Sequence, residues 1–272
     1  MPYAEPDFLS GVPGVQGRRE AAAGALADLA LDARATLTGR SLRLARAAHA
    51  APPRRVLVIG VDRPDRAGLM ASAQSELRRS RHDVQFEIAR GTGERGKFEN
   101  LNLLLARRAL QDVDWLLTID DDVGLPRGFL DRFVFLAERF GLRIAQPAHR
   151  RRSHAAWEVT RRQAGVVVRE TAFVEIGPLT ALHRDTFADL LPFPRLRMGW
   201  GLDAHWAAVA REHGWPIGVV DATAVRHTLA PAASSYSWEE AVGEAREFLA
   251  GRPYVNASDA QRTLATHTEW EQ

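Results

Sequence analysis

Short apolar runs that alternate with helical segments constrain the fold of this chain more than any other feature. Strands are expected at residues 55–61, 84–89 and 114–119, and helices between them at 65–80 and 97–111. Strands that alternate with helices form βαβ units, in which the strands are parallel and the crossover helices cover the sheet. The sequence therefore predicts an α/β, Rossmann-like fold with a mostly parallel central sheet flanked by helices.

The segment before the first strand has a different character. It is rich in Ala and Arg and ends at Pro52 and Pro53, which stop helical structure. Its leucines are spaced as on amphipathic helix faces, at Leu26, Leu29, Leu31, Leu37, Leu42 and Leu44. We therefore expect a helical N-terminal extension over residues 1–53, a main α/β domain over 54–230 and a helical C-terminal tail over 231–272 that packs on that domain.

Composition excludes several classes of protein. The net charge is +2, and Lys97 is the only lysine beside 35 arginines, which are interspersed with acids; a nucleic-acid partner is therefore not expected. Because the chain has no cysteine, any metal must be held by Asp, Glu, His or water. The first residues lack a basic start followed by an apolar segment, and no apolar run is long enough to span a bilayer, so a cytoplasmic protein without a transmembrane segment is expected.

Three consecutive acids follow the third apolar run, at Asp120, Asp121 and Asp122. Residues two apart share a face of an extended chain, so Asp120 and Asp122 would point one way and Asp121 the other. Two neighbouring carboxylates repel each other unless a cation or a proton lies between them. The pattern leaves two interpretations open: a divalent metal site, or a turn in which Asp side chains bond local amides.

Two further residues admit a structural and a functional interpretation. Asp203 precedes a helical segment, where it would serve as an N-cap, or it lies among tryptophans as a general base with a raised pKa. His227 ends an apolar strand, where it is either an ordinary core or surface histidine or a ligand that completes a metal shell with the acids.

Taken in order, these motifs resemble the nucleotide-sugar-dependent glycosyltransferases of the GT-A fold, in particular the large family-2-type inverting enzymes with a DxD motif. The resemblance runs from about Arg55 to His227. It rests on "VLVIGVDRP", "GERGKFENLNLLL", "WLLTIDDDV", "LTALHRDTF" and "GWGLDAHWAAVAREHGWPIGVVDATAVRHT".

The resemblance implies a role for each matching residue. Asp120 and Asp122 match the two acids of the DxD motif, and His227 matches a histidine that completes the shell of a Mn²⁺ or Mg²⁺ ion. Asp203 matches the general base that deprotonates the acceptor hydroxyl, with inversion at the anomeric carbon. The expected contacts to the nucleotide sugar come from Asp62, Arg63, Arg90, Lys97, Asp120 and Asp121.

The function implied by this resemblance is that of a metal-dependent, inverting glycosyltransferase of the hexosyltransferase type. Its partners would be a nucleoside-diphosphate sugar and a hydroxyl-bearing acceptor, whether a glycan, a lipid-linked molecule or a small molecule. Residues 1–53 would dock on the catalytic domain or mediate a homodimer. The alternatives are a nucleotidyltransferase of related fold, or a non-catalytic protein that binds a nucleotide or a protein partner on the same scaffold.

Overall fold

The computed structural model describes residues 6–10, 17–63, 68–227 and 237–271. Its α-helices are α1 (Arg18–Leu37), α2 (Arg40–Ala50), α3 (Leu69–Leu77), α4 (Lys97–Leu105), α5 (Phe129–Arg139), α6 (Phe187–Leu190), α7 (Leu202–His213), α8 (Trp238–Leu249) and α9 (Ala257–Ala260). Its strands are β1 (Arg55–Asp62), β2 (Asp83–Arg90), β3 (Trp115–Ile119), β4 (Val123–Gly124), β5 (Ile144–His149), β6 (Val168–Thr171), β7 (Leu179–His183), β8 (Ile217–His227) and β9 (Thr263–His267).

The strands form a central sheet in the order β2-β1-β3-β7-β5-β8-β6-β9, and the short β4 pairs with the end of β8. β1 is parallel to β2 and β3, and β5 is parallel to β8. β7 and β6 run the other way, because each pairs antiparallel with both of its neighbours. All other strands in that order share one direction, which confirms the predicted mostly parallel α/β sheet.

Both faces of the central strands β1, β3 and β5 are buried, whereas β2 and β9 contain no buried residue. Alternate residues of β1 enter opposite cores: Leu57 and Ile59 join the core that contains residues of α4, α7 and α8, whereas Val56 and Val58 join the core that contains residues of α2, α3 and α5. This covering by helices on two sides explains why β1 and β3 read as continuous apolar runs rather than as alternating ones.

Several element boundaries differ from the prediction. The helix expected at 65–80 begins at Leu69, after Gly68 in the left-handed region (φ 96°), and residues 65–67 lie outside the described residues. The helix expected at 97–111 already ends at Leu105. The C-terminal tail contributes a strand as well as helices, since β9 pairs antiparallel with β6; the predicted domain boundary at 230/231 lies outside the described residues.

The N-terminal helices dock on the sheet domain, but α1 does so through polar groups. Asp28 is only 3% exposed and accepts hydrogen bonds from the backbone N–H groups of Arg151 (3.1 Å) and Arg152 (2.9 Å). The predicted amphipathic role of Leu26, Leu29, Leu37 and Leu42 is wrong, since all four are exposed. The reason is that the loop after β5 presents unpaired amides, which need a carboxylate rather than an apolar face.

Helix α2 instead docks through apolar side chains. Leu44 and Ala48 are buried, and Leu44 joins the same core as α5. Among the described residues, no helix combines the length and the apolarity that a bilayer crossing needs.

Candidate active site

The three consecutive acids leave the sheet at the end of β3. All five residues of β3 are buried, and the Asp120 N–H donates to the Pro178 carbonyl (2.8 Å) where the strand ends. Beyond this point the side chains divide as the alternation predicts: Asp120 and Asp122 contribute to one group, and Asp121 turns to a different partner. A turn and a cluster of candidate metal ligands therefore occur together at this strand end.

Asp120, Asp122 and His227 each offer a ligand atom, and these atoms lie within 4.8 Å of one another. β8 delivers His227, because its last residue pairs with Val123 of β4, directly after the acids. His227 Nε2 lies 3.1 Å from Asp122 Oδ1. Burial lowers the pKa of His227, but the hydrogen bond and the negative charge of Asp122 outweigh it and raise the pKa above its usual value.

The chemistry of this group fits a divalent cation. Two carboxylates and one imidazole are ligands that Mn²⁺ accepts readily, and Mg²⁺ binds through the carboxylates. Three protein ligands would leave further coordination positions for water or for the oxygens of a substrate. Asp120 is also partly exposed, so an ion held here would be accessible to an anionic ligand.

Asp121 holds an arginine in place. Its side chain is 1% exposed and accepts hydrogen bonds from Arg63 Nε (2.8 Å), Arg63 Nη2 (2.6 Å) and the Arg63 N–H (3.0 Å). Asp121 is therefore buried in an ion pair and does not face solvent. Because the pair is bidentate, it fixes the Arg63 side chain at the end of β1, next to the acids of β3.

Lys97 approaches the acids from the other side. The Lys97 Nζ atom lies 2.6 Å from Asp120 Oδ1 and donates to the Ile176 carbonyl (3.3 Å). The residue begins α4, whose N-cap Gly96 is packed so closely that an added Cβ would lie 2.2 Å from the Arg197 carbonyl oxygen. A glycine is therefore needed before Lys97 for the helix to begin at this place.

A segment that sequence reasoning missed, residues 175–178, connects these groups. The Ile176 carbonyl accepts a hydrogen bond from Lys97 Nζ, and the Pro178 carbonyl accepts one from the Asp120 N–H. A Cβ added to Gly177 would lie 3.0 Å from Asp120 Oδ2, so the backbone lies directly against the candidate ligand. The Ile176 N–H is also among the groups that lower the pKa of Asp203, so it lies beside that carboxylate.

Glu175 anchors this segment inside the protein. Its carboxylate lies 2.6 Å from His149 Nε2 and accepts from Thr160 Oγ1 (3.2 Å). Its N–H donates to Gln146 Oε1, and its carbonyl accepts from Thr180 Oγ1 (2.7 Å). The signal in the sequence is an acid inside the apolar run "AFVEIGPL", where an unpaired carboxylate would be costly.

Asp203 lies in the first turn of α7, not at its N-cap, which is Gly201 in the left-handed region (φ 80°). The N-cap interpretation is therefore wrong. Asp203 Oδ1 accepts from the Ala204 N–H (2.9 Å). Burial is the main cause that raises the pKa of Asp203 to about 7; the charge of Glu175 adds to it, and backbone hydrogen bonds from Ala204 and Ile176 oppose it.

The remaining predicted residues lie at neighbouring strand ends. Asp62 and Arg90 are register partners at the ends of β1 and β2. Asp62 is half-buried and Arg90 is exposed, and Asp62 is not part of the carboxylate and histidine group. The structure therefore brings Arg63, Lys97, the three acids and His227 together, and it leaves Asp62 and Arg90 at the adjacent edge.

A scan with models of protein families gives no match, and no curated protein sequence matches the chain. Solved structures do match. GalNAc-T7 with UDP, GalNAc and Mn²⁺ matches at 10% identity and a TM-score of 0.48, over 87% of this chain and 58% of that chain. TarS from S. aureus with UDP-GlcNAc matches at 10% identity and a TM-score of 0.47, over 73% of this chain and 66% of that chain.

A mutant β-1,4-galactosyltransferase 7 from Drosophila, in complex with manganese, UDP-Gal and xylobiose, matches at 10% identity and a TM-score of 0.43, over 69% of this chain and 78% of that chain. The sequence motifs resemble GT-A glycosyltransferases, and these neighbours are glycosyltransferases of that fold.

Proposed function

We propose that the protein is a metal-dependent, inverting glycosyltransferase of the hexosyltransferase type, which transfers a sugar from a nucleoside-diphosphate donor to a hydroxyl acceptor. One observation carries the proposal: residues 175–178 contact the candidate metal ligand Asp120 and also lie beside Asp203, the carboxylate with a pKa of about 7. The candidate metal-binding group and the candidate base therefore lie against the same segment, residues 175–178.

The group of Asp120, Asp122 and His227 would hold the cation, Mn²⁺ or Mg²⁺. When bound, such an ion neutralises the diphosphate leaving group. Lys97 and Arg63 add two positive charges at the same strand ends, where they would orient the diphosphate. Each is already held by a carboxylate, so neither has to be ordered when the donor binds.

Asp203 would act as the base. An acceptor hydroxyl within hydrogen-bond distance of its carboxylate loses its proton to that oxygen as the glycosidic bond forms. A pKa of about 7 suits this task, because the carboxylate is available near neutral pH and still binds a proton strongly. A single displacement with one base predicts inversion at the anomeric carbon.

The nucleoside would lie over the ends of β1 and β2. Asp62 and Arg90 offer an acceptor and a donor side by side at that edge, which suits a ribose and a base. In this proposal Asp121 contributes to donor binding through Arg63, since its carboxylate is occupied by that guanidinium.

The proposal is tested with metal-free protein, a panel of nucleotide sugars and Mn²⁺ or Mg²⁺. We expect one donor to raise the melting temperature only with metal, and slow hydrolysis of that donor to release the nucleoside diphosphate. Release of pyrophosphate from a nucleoside triphosphate and a sugar phosphate would instead identify a nucleotidyltransferase. The absence of a metal-dependent shift with any nucleotide sugar would overturn the proposal.

A further inference from the structure

The chain that leads into α7 has no regular structure of its own. Residues 191–201 belong to no helix or strand, and Asp203 follows them in the first turn of α7. Such a segment cannot satisfy its backbone N–H groups through a strand ladder, so its conformation depends on the side chains that bind it. We call residues 197–201 the α7 loop, because its position decides where α7 begins.

Glu244 of α8 binds three consecutive N–H groups of the α7 loop. Its carboxylate accepts hydrogen bonds from the N–H groups of Arg197 (2.6 Å), Met198 (2.9 Å) and Gly199 (2.9 Å). Hydrogen bonds to an ionised acceptor are roughly twice as strong as those between neutral groups. Successive N–H groups that converge on one anion also restrict the backbone between them. One side chain therefore holds the first half of the α7 loop.

The same stretch of backbone supports the start of α4. The Arg197 carbonyl accepts a hydrogen bond from the Lys97 N–H (3.2 Å), and the backbone of Arg197 lies against Gly96. At its other end, Lys97 Nζ lies 2.6 Å from Asp120 Oδ1. A displacement of the Arg197 backbone would therefore also move a cation of the candidate active site.

The second half of the α7 loop packs on α8 as well. A Cβ added to Gly201 would lie 2.9 Å from Leu249 Cδ1. The rings of Trp200 and Trp238 meet edge to face, with centroids 5.0 Å apart. The buried face of α8 consists of Ala241, Val242, Ala245, Phe248 and Leu249. Because Glu244 is half-buried and lies outside that face, its carboxylate can be changed without removing the apolar packing of the helix.

We propose that Glu244 is a positioning residue for the transfer reaction, which holds Asp203 and Lys97 in place through the α7 loop. The inference rests on the proposed function, in which Asp203 takes the proton of the acceptor and Lys97 orients the diphosphate. A misplacement of about 1 Å can cost about a hundredfold in rate. Since Glu244 acts through the backbone of the loop, its effect is expected on turnover rather than on donor binding.

The test compares Glu244→Gln with the wild type in the transfer assay, well below the melting temperature of both proteins. The glutamine keeps the size of the side chain, but it has no negative charge and turns an NH₂ group toward one of the three N–H groups. We expect kcat to fall about tenfold. The KM for the donor should change less than about twofold, because Asp120, Asp122 and His227 lie on other elements.

The pH profile distinguishes a displaced base from a smaller folded fraction. When the α7 loop loosens, water reaches Asp203, and the pKa that burial raises to about 7 should fall toward its usual value. The neighbouring charge of Glu175 is the same in both proteins. The acidic limb of the transfer rate should therefore lie at lower pH in Glu244→Gln than in the wild type. A smaller folded fraction would instead lower the rate equally at every pH.

The matched control is Glu247→Gln, which changes an exposed acid on the same helix and should transfer as the wild type does. Equal kcat values and pH profiles for Glu244→Gln and the wild type would overturn the proposal. A lower rate with an unmoved pH profile, or loss of the wild-type circular dichroism spectrum, would also overturn it and assign Glu244 to stability alone. Failure of the proposed function looks different, because the wild type itself would then transfer no sugar from any donor.

Discussion

Asp121 and Asp203 are carboxylates near the same end of the sheet with opposite surroundings. Asp121 is 1% exposed and receives three hydrogen bonds from Arg63, two of them from its guanidinium group. Among the described contacts of Asp203 the donors are backbone N–H groups, and the nearby charge is the negative Glu175. A guanidinium partner makes a carboxylate a fixed anchor, whereas burial without a cation makes it a proton acceptor.

The largest effect is expected from removing a candidate metal ligand next to Asp121. Asp122→Ala removes a ligand from the group with Asp120 and His227, so the diphosphate would lose its neutralising charge. We expect transfer to fall about a thousandfold or more, since several kcal/mol of charge stabilisation are lost. The metal-dependent thermal shift with the donor should disappear as well. Retained Mn²⁺ binding, measured by calorimetry, would contradict the assignment.

Asp203→Asn should separate chemistry from binding. The amide keeps the shape of the side chain and cannot take a proton, so we expect transfer to fall about 10²–10⁴-fold. Donor binding and its metal dependence should change less than about twofold, because the ligand group is intact. Turnover equal to the wild type would remove Asp203 as the base.

Arg63→Ala tests the ion pair between Arg63 and Asp121. It leaves the Asp121 carboxylate buried without its cation, and we expect a loss of about 3 kcal/mol in the free energy of unfolding, measured by urea denaturation. The matched double variant Arg63→Ala with Asp121→Asn should recover part of this loss, because no buried charge then remains. Equal stability of the two variants would show that the pair does not act as an anchor.

The smallest effect is the pH dependence set by Asp203. Because its pKa is about 7, transfer should fall by about tenfold for each pH unit below 7 and level off above it. Stability should change with the opposite sign. The folded state keeps a proton that the unfolded state, with a pKa of 3.8, has released, so the contribution of Asp203 to stability declines as the pH rises from about 4 to about 7.

The variant Asp203→Asn is the control for that decline. Its melting temperature should fall less than that of the wild type between pH 4 and 7, because the amide does not titrate in this range. Parallel curves for the two proteins would mean that the pKa of Asp203 is not raised, and Asp203 would then resemble an ordinary surface carboxylate.

Much of the fold could be predicted because its signals are local. The apolar runs that became β1 and β3 are continuous, and runs of this kind indicate strands buried on both faces. The alternation that separates Asp121 from Asp120 and Asp122 is likewise a property of a few neighbouring residues. The helix ends and the exposure of the α1 leucines could not be predicted from the sequence, because they depend on what each segment packs against.

By itself, the sequence determined the α/β class, the strand that ends in acids and the later positions of Asp203 and His227. Only the tertiary structure decided that Asp121 is held by Arg63, that residues 175–178 join Lys97 and Asp120 to Asp203, and that α1 docks through Asp28. The physical reason is separation along the chain. Strand patterns arise from residues a few positions apart, whereas these contacts join residues that lie far apart in the sequence. Their partners become neighbours only once the strand order is set.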